Sequence, residues 1–404
     1  MRRNFYLVMN KLALMLLLVV LLGCSAPLPR ADDSESTPEK VGLVVSANNQ
    51  FAFELFSRLD KSNNVFFSPY SISTALAMTF EGARGRTAEE MQSVFHFPED
   101  SVRRPGFASI YNDLNRKDKK YALNTANALW AQKDFGFLPD YMSVVEKYYS
   151  GKSTNVDFVN APEQSRVTIN DWVEQQTKNK IKDLLPASPP VINPLTRLVL
   201  TNAIYFKGDW LFQFDKRKTQ EADFKVSPDK AVKVQMMGLS DEEFNYADMG
   251  DLQAIELPYA GKELSMLVLL PDDINSFELS AEYLKMLKNN MRKSEIPVYL
   301  PKFKLETKYF LSEDLKAMGM PTAFDMDADF SGMTGTDDLF ISSVIHQAFV
   351  EVNEEGTEAA AATAVIMELK AVMIKPFRAD HPFIFLIQDK NNNILFLGRV
   401  VNPE

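Results

Sequence analysis

Glu354-Glu355-Gly356-Thr357-Glu358-Ala359-Ala360-Ala361-Ala362-Thr363-Ala364-Val365-Ile366-Met367-Glu368-Leu369-Lys370-Ala371 is a run that two local structures fit equally well. Thr357 ahead of Glu358 and four alanines reads as a helix cap followed by strong helix formers, with Ala362, Val365, Ile366 and Leu369 on one face. Counted by twos, Thr357, Ala359, Ala361, Thr363, Val365, Met367 and Leu369 are all uncharged, while Glu358, Glu368 and Lys370 share the opposite parity. That is the pattern of a half-buried strand with one small-to-apolar face. Residue chemistry leaves the two about even, although most segments of a folded chain commit to one. Gly356 permits the backbone to turn ahead of the run. No proline interrupts residues 356–373, so every residue could join a β-ladder.

Outward from this run, the chain divides by periodicity. Strand-like runs occupy 198–206, 254–258, 264–270, 298–305, 339–352, 383–388 and 394–400, and Asp389-Lys390-Asn391-Asn392-Asn393 has the chemistry of a hairpin turn. Helical spacing governs the earlier part: Phe51, Leu55, Phe56 and Leu59 within 48–59, the segment 72–80, and an amphipathic stretch over 169–185. Helices early and strands late favour an α+β fold over a doubly wound sheet. The longest break, four prolines over 186–194, joins a helix-like segment to a strand-like one. With no second linker, repeat or low-complexity tract, residues 46–404 read as one domain, although length alone suggests two or three.

The N-terminus reads differently. Arg2, Arg3 and Lys11 precede an apolar run over 12–22, too short to span a bilayer, then Gly23 and Cys24. This is signal-peptide chemistry over residues 1–23. Leu21-Leu22-Gly23-Cys24 resembles the lipobox of bacterial lipoproteins, which implies cleavage before Cys24 and its acylation. Residues 24–45, with prolines, acids and Ser/Thr, then read as a flexible tether. The expectation is an exported lipoprotein of a bacterial cell envelope, on the outer membrane or cell surface.

Composition removes several classes. Without residues 1–23, 41 basic residues face 54 acidic ones, a net charge of −13 that argues against nucleic-acid binding. A single cysteine excludes a disulfide framework and a cysteine-based zinc site. The serine-hydrolase elbow, the H-E-x-x-H zinc motif, the phosphate loop and the dinucleotide fingerprint are all absent. His96, His346 and His381 read as core or surface residues rather than metal ligands, so no cofactor and no enzyme activity are expected.

The residues around the ambiguous run carry a resemblance that decides its reading. Residues 354–371 resemble the hinge and reactive loop of the serpins, and the likeness extends over nearly the whole chain from about Ser46. Residues 64–73 with 81–87, 201–210, 328–333 and 377–385 resemble further family signatures in the family's order. The resemblance implies a large central mixed sheet, smaller sheets, eight or nine helices and an exposed loop over about 356–376. It implies a monomeric inhibitor of serine proteases, with some family members acting on cysteine proteases. The loop is bait, and once cut it inserts as a new strand of the main sheet and drags the acyl-enzyme with it. Glu354, Glu355, Gly356, Thr357, Glu358, Ala359, Ala360, Ala361 and Ala362 would form the hinge. The scissile bond falls at Lys370-Ala371, which favours trypsin-like targets; Leu369 or Met367 would instead serve chymotrypsin- or elastase-like ones. Ser68, Ser71, Asn202 and His346 resemble the polar cluster beneath the sheet opening. Trp210, Lys302 and Glu354 resemble the latch where the loop enters. The alternative is a non-inhibitory member acting as a binding or scaffold module; such hinges carry bulky or charged residues or prolines, and residues 357–363 carry none except Glu358.

Overall fold

The computed structural model of the protein describes residues 30–116, 118–188, 191–357 and 375–404. The signal segment, Cys24, Glu358, Ala359, Ala360, Ala361, Ala362, Lys370 and Ala371 lie outside the described residues. Among the described residues, nine α-helices surround three sheets. A seven-stranded antiparallel sheet runs in the order β1 (Val65–Phe67), β17 (Ile394–Val400), β16 (Phe383–Asp389), β9 (Leu264–Pro271), β8 (Leu252–Pro258), β7 (Glu243–Asp248), β10 (Arg292–Glu295). A four-stranded sheet runs β15 (Phe377–Arg378), β11 (Val298–Pro301), β6 (Lys230–Leu239), β5 (Gln220–Ser227). The six-stranded mixed sheet runs β12 (Phe303–Phe310), β13 (Ile341–Val352), β14 (Gly356–Thr357), β4 (Leu198–Asp209), β2 (Tyr121–Gln132), β3 (Lys152–Val156).

The mixed sheet is covered on both faces. The helix Pro69–Phe80 lies between its strands β2 and β4 and strand β17 of the seven-stranded sheet. Eleven of that helix's twelve residues are buried accordingly, since a helix enclosed by two sheets has no solvent face. On the opposite face, Ile169 and Val173 of the helix Pro162–Gln176 pack with Trp130, Val199, Ala203 and Ile345 as a second core. Strands buried on both faces lose polar alternation, so β4 is buried at ten of twelve positions.

Three expectations need correction. The predicted tether, residues 24–45, is folded from Ala31 onward: Ala31 is buried and exchanges backbone hydrogen bonds with the Asn112 amide at 3.0 and 2.9 Å. A helix already runs Pro38–Arg58, because Thr37 accepts from Lys40 N, Pro38 sits at the first turn and Glu39 faces the positive helix end. The predicted helix over 169–185 stops at Gln176; Lys178, Asn179 and Asp183 adopt positive φ, and the Asn170 amide ties down the Leu185 backbone. Ile181, Leu184 and Leu185 are nonetheless fully buried, so their apolar pattern recorded burial rather than helix. The predicted strand over 298–305 breaks at Lys302, with β11 in one sheet and β12 in another.

Candidate functional site

Strands β13 and β4 pair in parallel from Ile341 opposite Leu198 to Phe349 opposite Tyr205. Beyond that point they part, and β14 occupies the gap. Thr357 pairs with Val352 on one side and Gly208 on the other, while Gly356 faces Asp209. A tight turn folds β14 back onto β13: Asn353 N donates to Gly356 O at 2.9 Å, and Glu355 N donates to Asn353 Oδ1 at 3.1 Å. Gly356 is required there. Its φ is +152°, and a Cβ would lie 2.2 Å from the Gly208 carbonyl oxygen and 2.6 Å from Asp209 Cα.

The two acids before the glycine are buried and latched outward. Glu354 accepts from Lys302 Nζ at 3.0 Å and from Thr219 Oγ1 at 2.8 Å, and Glu355 accepts from Lys216 Nζ. Burial pushes the Glu354 carboxyl up, but its own backbone N–H, Lys302 and Thr219 outweigh this and hold it below the usual carboxylate range. Glu355 engages through one oxygen; among the described residues the other is buried without a hydrogen-bond partner. The backbone is latched too, with Trp210 N donating to Glu355 O and Phe214 N to Glu354 O, both at 2.9 Å. Trp210 stacks on Tyr259 with ring centroids 4.6 Å apart, its Nε1 donates to Asn353 O at 3.0 Å, and the Tyr259 hydroxyl meets Thr357 Oγ1 at 3.1 Å.

Further down the same seam lies a polar chain. Ser68 N donates to His346 Nε2 at 3.0 Å, so that nitrogen carries the lone pair. The proton therefore resides on Nδ1, which donates to Asn202 Oδ1. This orients the Asn202 amide: Nδ2 donates to Ser71 Oγ at 2.6 Å and to Asn127 Oδ1. Ser68 Oγ donates to Leu395 O at 2.6 Å. His346 is fully buried, and burial pushes its pKa down to about 3. His346 and Asn202 are direct register partners across β13 and β4, so their bond crosses the seam between those strands.

The structure thus brings Trp210, Lys302, Glu354, Glu355, Gly356 and Thr357 together at the head of the seam, and Ser68, Ser71, Asn202 and His346 in its middle. Sequence reading missed Lys216, Thr219, Tyr259 and Asn127. Asn127 had a usable signal, since an asparagine interrupts the small and apolar run of β2 at the register partner of Asn202. Lys216 and Thr219, in an exposed polar stretch, had none. Among the described residues no group of His, Cys, Asp or Glu is arranged to hold a metal ion, and no helix is long and apolar enough to cross a membrane.

Comparison with known proteins points the same way. The family model described as serpin (serine protease inhibitor) matches residues 46–403. A leukocyte elastase inhibitor of Xenopus tropicalis is 44% identical, covering 89% of this chain and 99% of that protein. An uncharacterized serpin-like protein of Thermococcus kodakarensis is 44% identical over 89% of this chain and 86% of its own. The crystal structure of a highly specific serpin of the insect Tenebrio molitor superposes with a TM-score of 0.79 at 34% identity, over 91% of this chain and 99% of that one.

Proposed function

The chain belongs to the serpin family of protease inhibitors, and on that premise we propose that it traps a serine protease covalently at Lys370-Ala371 by inserting its cut loop between β13 and β4. The observation that carries this reading is the seat of β14. Thr357 already pairs with both flanking strands and Gly356 with β4, antiparallel to each, so a longer insertion needs only to continue their register. Stepping along that register, Thr363 arrives between Asn202 and His346 and replaces their mutual hydrogen bond with contacts to its own backbone and hydroxyl. Thr357, buried against Tyr259, shares parity with Ala359, Ala361, Thr363, Val365, Met367 and Leu369, so the small-to-apolar face turns toward the core. About a dozen new ladder hydrogen bonds at about 1 kcal/mol each supply on the order of 10 kcal/mol for displacing the attached protease. The uncut chain is then held kinetically, by the latch and the seam, above a lower state.

Lysine at the cut site selects trypsin-like enzymes, whose specificity pocket carries a buried acid. Mixing the protein with trypsin should give an adduct that survives denaturation, and Lys370→Glu should abolish it. Cleavage without an adduct would leave only a substrate or scaffold. We also propose that Cys24 is acylated and holds the inhibitor on a bacterial envelope surface. Cys24→Ser should then lose incorporation of labelled palmitate by expressing cells; unchanged incorporation would remove the anchor.

A further inference from the structure

The short segment that latches the hinge also forms one wall of a groove outside the seam. Lys216 and Thr219 hold Glu355 and Glu354, while Lys218 and Gln220 line a cavity of about 360 Å³ on the four-stranded sheet. Met236, Gly238, Tyr299, Arg378 and one acid, Glu221, share the lining. Its floor is built rather than incidental: a Cβ on Gly238 would lie 3.3 Å from the Tyr299 ring, so the glycine gives the ring its room over β6. The Arg378 guanidinium in turn lies 4.8 Å from the Tyr299 ring centroid. Among the described residues its ion pair is long, 3.5 Å to Asp380, and Lys218 Nζ makes a single long hydrogen bond, 3.4 Å to Ser240 Oγ. Two cations therefore face the groove with donors to spare. Among the described residues that line the groove, the two cations outnumber the one acid, Glu221.

Position supplies the occupant. Arg378 lies eight residues beyond Lys370, which at full extension is no more than about 29 Å. A protease seated on the loop, wider than the ~30 Å of a small domain, reaches this groove while still engaged. We propose that the groove is an accessory docking site that receives a carboxylate side chain of the attacking protease on Lys218 and Arg378. The contact sits on the same 216–220 segment that restrains the hinge, so docking and hinge release share one piece of backbone. This inference rests on the inhibitory reading and refines it.

The test uses anionic and cationic trypsin isoforms, which cut after the same residues but differ in surface charge. The wild-type protein should trap the anionic isoform severalfold faster, with the steeper dependence on salt. The Lys218→Ala, Arg378→Ala double variant should slow trapping of the anionic isoform by about tenfold and leave the cationic rate within about twofold, erasing the preference. Gly238→Ala, which crowds the Tyr299 ring, should reduce the preference in part while both cations remain. An adduct formed at unchanged relative rates by the double variant would overturn the docking site and leave the inhibitor standing. No adduct from the wild-type protein with either isoform would overturn the inhibitory reading itself, and the docking site with it.

Discussion

Thr357→Arg tests the insertion mechanism where the structure is most exacting. Thr357 is fully buried, paired between Val352 and Gly208, with its hydroxyl 3.1 Å from that of Tyr259. Arginine at this position must either place a guanidinium against the Trp210–Tyr259 stack or keep the hinge out of the seam. An uncompensated buried charge costs about 3–5 kcal/mol. If the transition state for insertion carries most of that cost, insertion slows by about two to three and a half orders of magnitude, at tenfold per 1.4 kcal/mol. Deacylation of the protease is untouched by the change, so the branch point tips from trapping to turnover. The assay is a titration of trypsin against the variant, read both as residual activity and as adduct on a denaturing gel. The variant should be cut at Lys370 at the wild-type rate yet give almost no adduct, whereas Thr357→Ser, which keeps size and hydroxyl, should retain trapping. Adduct formation by Thr357→Arg at wild-type stoichiometry would refute insertion through this seam.

Two further perturbations follow from the same geometry. Gly356→Ala places a Cβ on backbone atoms of β4, so it should expel β14 and expose the Trp210 ring, costing about 1–3 kcal/mol; a red-shifted tryptophan emission checks it, and an unshifted spectrum would contradict the seat assigned to β14. His346 stays neutral in the fold down to about pH 3 while an unfolded histidine takes up its proton near 6.5, so stability falls with acidification between those values by up to about 1.4 kcal/mol per pH unit. His346→Gln should therefore show a urea-unfolding free energy about 2 kcal/mol less sensitive to a change from pH 7 to pH 5. Glu354, whose depressed pKa makes its contribution present above the ordinary carboxylate range and lost below it, titrates outside that window, and the raised Asp389 carboxyl, near 6, has the opposite sign but cancels between the two proteins. Equal pH dependence in both would rule out the buried neutral histidine.

Much of this architecture was legible in the residues because burial writes itself into apolar pattern. Strands β4, β9, β13, β16 and β17 are long runs enclosed on both faces, and their apolar continuity announced them. The strands β5, β6 and β7 were not read, since more than half of each is exposed or only partly buried and a polar strand differs little from a loop. The tether was misjudged for a related reason: prolines, acids and Ser/Thr mark disorder in bulk, yet Thr37-Pro38-Glu39 is also a helix start, and only the packing of Val44 and Val45 behind it separates the two. At the site, pattern could supply Gly356 and the parity of Thr357, because backbone demands are local. It could not supply Lys216 or Thr219, which matter only because the fold carries them 139 and 135 positions along the chain to Glu355 and Glu354.

Lys302 stands where these elements meet. Its backbone N–H donates to Gln235 O at 2.9 Å on the four-stranded sheet, its ammonium grips Glu354, and the chain continues without a gap into β12 of the six-stranded sheet. A single residue thus joins three elements. If the proposed insertion parts β13 from β4 by one strand spacing, about 4.8 Å, with β12 following β13, the joint would either rotate the smaller sheet with them or let go of the hinge. Torque would then be shared between two sheets from the first ångström of opening, a geared movement rather than a door on a free hinge.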